Sequence, residues 1–173
     1  VILSSPMIRP LTGNVPWPEA PGIAVEKCIL GKEEEYVAGQ KPYDGSGAFE
    51  TSSATSRPRY ERYKKLRAEK KELQTWSPSY GWILASAEMS WYLRLYAWKK
   101  YTAPMLLVQA QTEDLVSVRA LKNFAGRINR EGKTVCDYIH MIGTKHEIYG
   151  SRGKTLEKYW RYIFNFLEDD REK

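Results

Sequence analysis

Two short segments of this chain end an apolar run in residues that do proton chemistry. The first, Pro104-Met105-Leu106-Leu107-Val108-Gln109-Ala110-Gln111-Thr112-Glu113-Asp114-Leu115-Val116, carries two adjacent carboxylates beyond its apolar part. The second, Tyr138-Ile139-His140-Met141-Ile142-Gly143-Thr144-Lys145-His146-Glu147-Ile148, carries an imidazole, His146, beyond a glycine turn. An acid and then a histidine at the ends of adjacent strands form the second half of a Ser…acid…His triad. There the carboxylate accepts the Nδ1–H, fixes the tautomer and stabilises the imidazolium formed when the other ring nitrogen takes a proton. The first half of such a triad, a nucleophile on a G-x-S-x-G elbow, does not occur in the 173 residues. Ser151, in Gly150-Ser151-Arg152-Gly153, has the wrong glycine spacing and follows the acid in the chain. Ser4 and Ser5 end a strand without flanking glycines, so none of the three is read as a nucleophile.

His146 lies where an open α/β sheet places ligands, beyond the carboxyl end of a strand, so it is the candidate general base. Its partner is Glu113 or Asp114. A competing role for these acids is to cap the helix that follows Val116 and complement its dipole, and one residue could serve each purpose. His140, the only other histidine, falls inside the strand on one face with Tyr138 and Ile142 and is read as structural, hydrogen-bonded within the sheet. His140 and His146 are six residues apart across a strand end and do not make a metal pair without further ligands. No metal and no cofactor are expected.

The elements that must position these groups follow from periodicity. Val1 to Leu3 is a short apolar strand stopped by Pro6. Residues 8–100 contain no clear strand. Pro10, Gly13, Asn14, Pro16, Pro18, Pro21 and Gly22 mark loops, as do Pro42, Gly45 and Gly47, with a short helix expected over 23–30 between them. Tyr60, Tyr63, Leu66 and Leu73 predict a helix over 58–76, and Ser77-Pro78 restarts a second helix to about Lys100. From Met105 the pattern becomes strand and helix in alternation. A strand over 105–110 precedes a helix marked by Val118, Leu121, Phe124 and Ile128 and ended by Gly132. A second strand, over 136–142, precedes a helix stepped by Leu156, Tyr159, Trp160, Ile163, Phe164 and Leu167. This alternation predicts α/β architecture with a parallel sheet covered on both faces.

Composition excludes several classes. With 42% hydrophobic and 28% charged residues the chain is globular rather than disordered. No apolar run approaches a spanning helix, and Val1-Ile2-Leu3-Ser4-Ser5-Pro6-Met7 has neither the basic start nor the length of a signal peptide. Two cysteines, Cys28 and Cys136, make no disulfide framework or metal spacing and predict reduced thiols in a cytosolic compartment. The net charge of +6 originates largely in the Lys- and Arg-dense stretch 57–71. Its interleaved basic and aromatic residues could contact phosphates. The interspersed acids and the lack of any nucleic-acid module favour a solvated helix face, so no nucleic acid is expected as a partner.

Four segments give the chain a resemblance to the C-terminal portion of an α/β-hydrolase of the lysophospholipase and monoacylglycerol-lipase group, nearest to bacterial lysophospholipase L2. Leu3-Ser4-Ser5-Pro6-Met7 is similar to the strand after the nucleophile helix. Ser53-Ala54-Thr55-Ser56-Arg57-Pro58-Arg59-Tyr60 resembles the cap's T-x-S-x-x-R-Y signature in loosened form. The stretch from Pro104 to Val116 resembles the acid-bearing strand and turn, and Gly143-Thr144-Lys145-His146-Glu147 resembles the G-x-x-H-E turn. Counted from Ala110, the family spacing selects Glu113 as the acid, where most relatives carry Asp, with Asp114 as the alternative.

The resemblance implies a C-terminal α/β-hydrolase portion with a helical cap insertion: a core strand over 1–7, a cap over 8–100 and an α/β core over 101–173. It implies a serine carboxylic-ester hydrolase acting on lysophospholipid or monoacylglycerol, with His146 as base, Glu113 as orienting acid and a lipid-like acyl ester as substrate. The missing elbow implies a fragment, inactive alone, whose partner is the N-terminal remainder of the same protein. Trp17, Trp76, Trp82 and Trp91 would offer the cap's apolar surface to an acyl chain. The basic cap helix implies a cytoplasmic protein in peripheral contact with anionic lipid at the inner membrane face. Two alternatives stay open: another hydrolase activity on the same scaffold, such as a peptidase or small-ester esterase, and a non-catalytic binding protein.

Overall fold

The computed structural model describes residues 1–75 and 77–168. The expectations placed on Trp76, as a helix end and as an acyl contact, therefore lie outside the described residues. Three parallel strands form one sheet in the order β1 (Ile2–Ser4), β2 (Met105–Ala110), β3 (Cys136–Met141). Every residue of β2 is buried, as expected of a strand covered on both faces, and alternate side chains feed two separate cores. Met105 and Leu107 join Ile8, Val116, Leu121, Phe124 and Ile128 on one face. Leu106, Val108 and Ala110 join Met141, Ile148, Tyr159 and Ile163 on the other.

The helices that supply those cores follow the sequence pattern. Helix α5 (Val118–Glu131) buries Leu121, Phe124, Ala125 and Ile128, a stripe with the helical period. Ser117 caps it by accepting the Ala120 N–H at 3.3 Å. Gly132, at φ 73°, ends it in the left-handed conformation that a residue with a Cβ adopts at a cost. Helix α6 (Gly153–Glu168) buries Tyr159 and Ile163 on the other face of the sheet. Its apolar stripe is wider than the surface it covers, because Trp160, Phe164 and Leu167 remain 43%, 54% and 64% exposed.

The insertion between β1 and β2 is helical but departs from the periodicity in two of its helices. Helix α1 (Ala20–Ile29) begins earlier than residue 23, with proline in its first turn, where a missing N–H is harmless. Helix α2 (Arg57–Glu69) ends before residue 76, because Lys70 is extended and a short 3₁₀ turn, Lys71–Leu73, follows. It buries none of its residues. Its tyrosines serve the preceding loop instead: the Tyr60 hydroxyl donates to Gly47 O at 2.6 Å, and its ring lies 5.6 Å from that of Phe49. Helix α3 (Tyr80–Tyr92), capped by Ser79, continues through a π turn, Leu93–Ala97, into α4 (Trp98–Lys100), as the expected second helix does. Ala20 and Ala24 of α1 pack on Ile83 of α3 in a third small core.

The core of the sheet and the outside of the insertion differ in what they tolerate. Leu121 is fully buried, so Leu121→Ala is expected to cost about 3 kcal/mol, whereas Leu66→Ala on the outside of α2 should cost under about 1 kcal/mol. Urea unfolding of the two variants measures both. Burial, helped by the neighbouring Asp137 carboxylate, pushes the Cys136 thiol up to about 11. In mildly alkaline buffer iodoacetamide should therefore label the half-buried Cys28 in the folded protein, and Cys136 only after unfolding, as read by mass spectrometry.

Candidate active site

Strands β2 and β3 are paired in register from Met105↔Cys136 to Ala110↔Met141. Their carboxyl ends therefore lie at the same height, and the turns that follow emerge side by side. After β3 the chain reverses at Gly143, whose φ of 79° only glycine adopts freely.

Three hydrogen bonds then tie the turns together, and a fourth braces the second turn against β3. The Gly143 N–H donates to Gln111 Oε1 at 2.6 Å. The Gln111 N–H donates to Thr144 Oγ1 at 3.2 Å. The Thr112 N–H donates to Thr144 O at 3.0 Å. The Thr144 hydroxyl donates to Met141 O at 2.7 Å. Thr144 is only 2% exposed, so its hydroxyl bond to Met141 O forms away from water, where losing it leaves a buried polar group unpaired.

Within this frame Glu113 and His146 meet. Glu113 Oε1 lies 2.8 Å and Oε2 3.0 Å from His146 Nδ1. The Glu113 side chain is wholly inaccessible and that of His146 is 25% exposed. Glu113 Oε1 also accepts the N–H groups of Leu115 at 3.1 Å and Val116 at 3.2 Å. A buried carboxylate needs such donors. Because an ionised carboxylate only accepts, the Nδ1 proton belongs to the histidine. Nε2, which has no hydrogen-bond partner among the described residues, keeps its lone pair when the ring is neutral. This arrangement can hold one tautomer of an imidazole, accept a proton at Nε2 and stabilise the resulting cation.

The structure thus brings Glu113 and His146 together and leaves Asp114 exposed with no bond to the imidazole. Of the two roles weighed for the acids, Glu113 takes the one toward the histidine and closes its own turn on the Val116 N–H, while the helix cap falls to Ser117 and to neither acid. His140 corrects its expectation. It is exposed on β3 and its side chain makes no hydrogen bond among the described residues. Ser5 is buried at the end of β1 with φ 42°, its Oγ accepting the Ala110 N–H at 3.3 Å. The Oγ atoms of Ser4 and Ser151 are buried and unpaired among the described residues.

Three positioning residues escaped the sequence analysis. Gln111 and Thr144 carry no chemical signal, and only the strand register reveals that they face each other. Lys145 reaches into the insertion, its Nζ donating to Ser52 O at 2.8 Å and Glu50 O at 3.1 Å. The Glu147 N–H donates to Ser53 O at 3.0 Å, and the Ser56 N–H to Gly150 O at 3.2 Å. Gly150 admits this contact because a Cβ there would sit 3.3 Å from that of Ala54. The Ser53 to Tyr60 motif therefore begins where the insertion is clamped to the histidine loop. Of the described tryptophans, Trp17 and Trp91 line a cavity of about 280 Å³ whose lining includes neither Glu113 nor His146.

No protein-family model matches the sequence, and no curated protein matches it. Solved structures do resemble it. A soluble variant of monoglyceride lipase from Saccharomyces cerevisiae, in complex with a substrate analog, superposes with a TM-score of 0.63 and 11% identity, over 96% of this chain and 54% of that one. The monoacylglycerol lipase of Paleococcus ferrophilus gives 0.60 and 15%, over 96% of this chain and 57% of that one. The chain thus spans just over half the length of these structures. Its three parallel strands, flanking helices and helical insertion are the C-terminal portion of an α/β-hydrolase fold.

Proposed function

We propose that this chain supplies the acid and the base of a serine carboxylic-ester hydrolase acting on monoacylglycerol or lysophospholipid. The observation that carries this reading is the inaccessible Glu113 carboxylate holding His146 Nδ1 at 2.8 and 3.0 Å, beyond the carboxyl ends of two parallel strands. The likeness of the fold to two monoglyceride lipases supports it. In this reading the nucleophilic serine comes from outside the 173 residues, from the N-terminal remainder of the same protein, and the chain alone is inactive. His146 Nε2 takes the serine proton as the oxygen attacks the ester carbonyl. The imidazolium, stabilised by Glu113, then delivers that proton to the departing alcohol. Water, activated by the same nitrogen, cleaves the acyl-enzyme and releases the fatty acid.

The insertion, over 8–100, serves as the cap, between a core strand over 1–7 and the α/β core over 101–173. On α3 and the π turn, Trp82, Met89, Tyr92 and Leu95 are about half exposed and give the cap apolar surface for a single acyl chain. No helix among the described residues is long and apolar enough to cross a membrane. The exposed Arg59, Arg62 and Lys65 of α2 would instead draw a cytoplasmic protein onto an anionic inner membrane face.

The test of the triad uses the complete reading frame containing this chain and p-nitrophenyl acyl esters of graded length. His146→Ala is expected to lower kcat about ten-thousand-fold, and Glu113→Gln about a thousand- to ten-thousand-fold. Asp114→Ala should stay near the parent rate. Unchanged turnover in His146→Ala would refute the assigned base, and a collapse in Asp114→Ala would move the acid. For the membrane reading, cosedimentation with phosphatidylglycerol vesicles should weaken as salt rises and in an Arg59→Gln/Arg62→Gln variant. Binding indifferent to both would remove that part of the proposal.

A further inference from the structure

A second feature with binding chemistry lies apart from the Glu113–His146 pair. The cavity of about 280 Å³ between α3, the π turn and α5 is lined by four arginines, Arg9, Arg94, Arg119 and Arg127, and by no carboxylate. Only two of these guanidiniums are engaged among the described residues. Arg9 Nη2 donates to Ser117 Oγ at 2.7 Å, while its Nε is buried without a partner. Arg127 donates to Arg94 O and stacks over Trp98 with its Cζ 5.8 Å from the ring centroid. The side chains of Arg94 and Arg119 make no ion pair or hydrogen bond among the described residues. Guanidinium groups stay charged, so four arginines lining one cavity give it a positive potential that favours an anion. The lining also includes Ala120 in the first turn of the 14-residue helix α5, whose N-terminal dipole adds to the positive potential. Trp17 and Trp91, in the same wall, offer flat apolar surface to an organic body.

We propose that this arginine-lined cavity binds an organic phosphate monoester, its phosphate held by the guanidiniums and its organic portion against Trp17 and Trp91. A phosphate monoester suits the site better than a carboxylate. It carries nearly two charges near neutrality and presents three acceptor oxygens, which match several forked donors. The same group occurs on soluble metabolites and on the headgroup of phosphatidic acid. The cavity's chemistry is common to both.

The test is independent of ester hydrolysis. Glycerol 3-phosphate is titrated into the protein by calorimetry and by tryptophan fluorescence, with sodium octanoate in a parallel titration. Vesicles of phosphatidylcholine with and without phosphatidic acid provide the second arm. Circular dichroism confirms the fold of an Arg94→Gln/Arg119→Gln variant. The expected result is saturable, salt-sensitive binding of glycerol 3-phosphate or of phosphatidic acid vesicles, weakened at least about tenfold in the double variant. Binding of glycerol 3-phosphate identifies a soluble source. Binding confined to phosphatidic acid vesicles and lost in the double variant identifies a headgroup. No binding in either arm, binding indifferent to the double variant, or octanoate bound more tightly than phosphate would overturn the proposal.

Discussion

The parallel, in-register pairing of β2 with β3 is the constraint on which the candidate site depends. Because the last pair is Ala110↔Met141, the two chains leave the sheet at one level. A shift of one residue would turn every β2 side chain to the opposite core and carry the acid turn away from the histidine turn. The register is fixed by burial on both faces. Met105 and Leu107 pack in the core with Leu121 and Phe124 of α5, and Leu106 and Val108 in the core with Tyr159 and Ile163 of α6, so a slipped strand would have to refill both cores. Hydrophobic packing remote from the site thereby sets a polar distance of 2.8 Å within it.

The polar layer above the sheet converts that register into a fixed geometry. Thr144 acts on both sides: its hydroxyl donates back to β3 at Met141 O and accepts from Gln111 in the other turn. Glu113 is held by the Leu115 and Val116 amides before it meets the histidine, so the carboxylate is oriented by its own turn and not by its partner. Such prior orientation matters for proton transfer. An imidazole whose Nδ1 is held keeps its Nε2 lone pair on one bearing, and little reorganisation is needed when charge develops.

Much of this was legible in the residues, and the failures have physical causes. The apolar run of β2, the stripe of α5 and the stop at Gly132 read directly, because a buried strand and an amphipathic helix impose periods that loops do not. The choice between Glu113 and Asp114 was not legible from residue type. Both are carboxylates at the same turn, and only backbone geometry turns the first inward to two amides and leaves the second in solvent. Helix α2 misled in another way. Tyr60, Tyr63 and Leu66 recur at helical spacing, yet the helix buries no residue, since aromatic groups also satisfy themselves against a neighbouring loop and arginines. His140 has the alternation of an inward residue, but only one strand, β2, pairs with β3 among the described residues, and the side chain stays exposed.

The least legible part is also the one that links the insertion to the site. Residues 50–56 have no periodic pattern, yet they hold the histidine loop through the Lys145 ammonium and through main-chain bonds from Glu147 and to Gly150. Those bonds use the backbone carbonyls of Glu50, Ser52 and Ser53, so they depend on the path of this segment and hardly at all on its side chains. Residues flanking His146 on both sides are thus anchored to the insertion, while the residues before them are anchored to the acid turn by Thr144. The imidazole is consequently suspended between two bodies, the sheet below and the insertion beside it. A displacement of the insertion would carry Lys145 and Glu147 with it while Thr144 and Glu113 stayed with the sheet, and the strain would fall on the Thr144–Lys145 link and on the bond between His146 and Glu113.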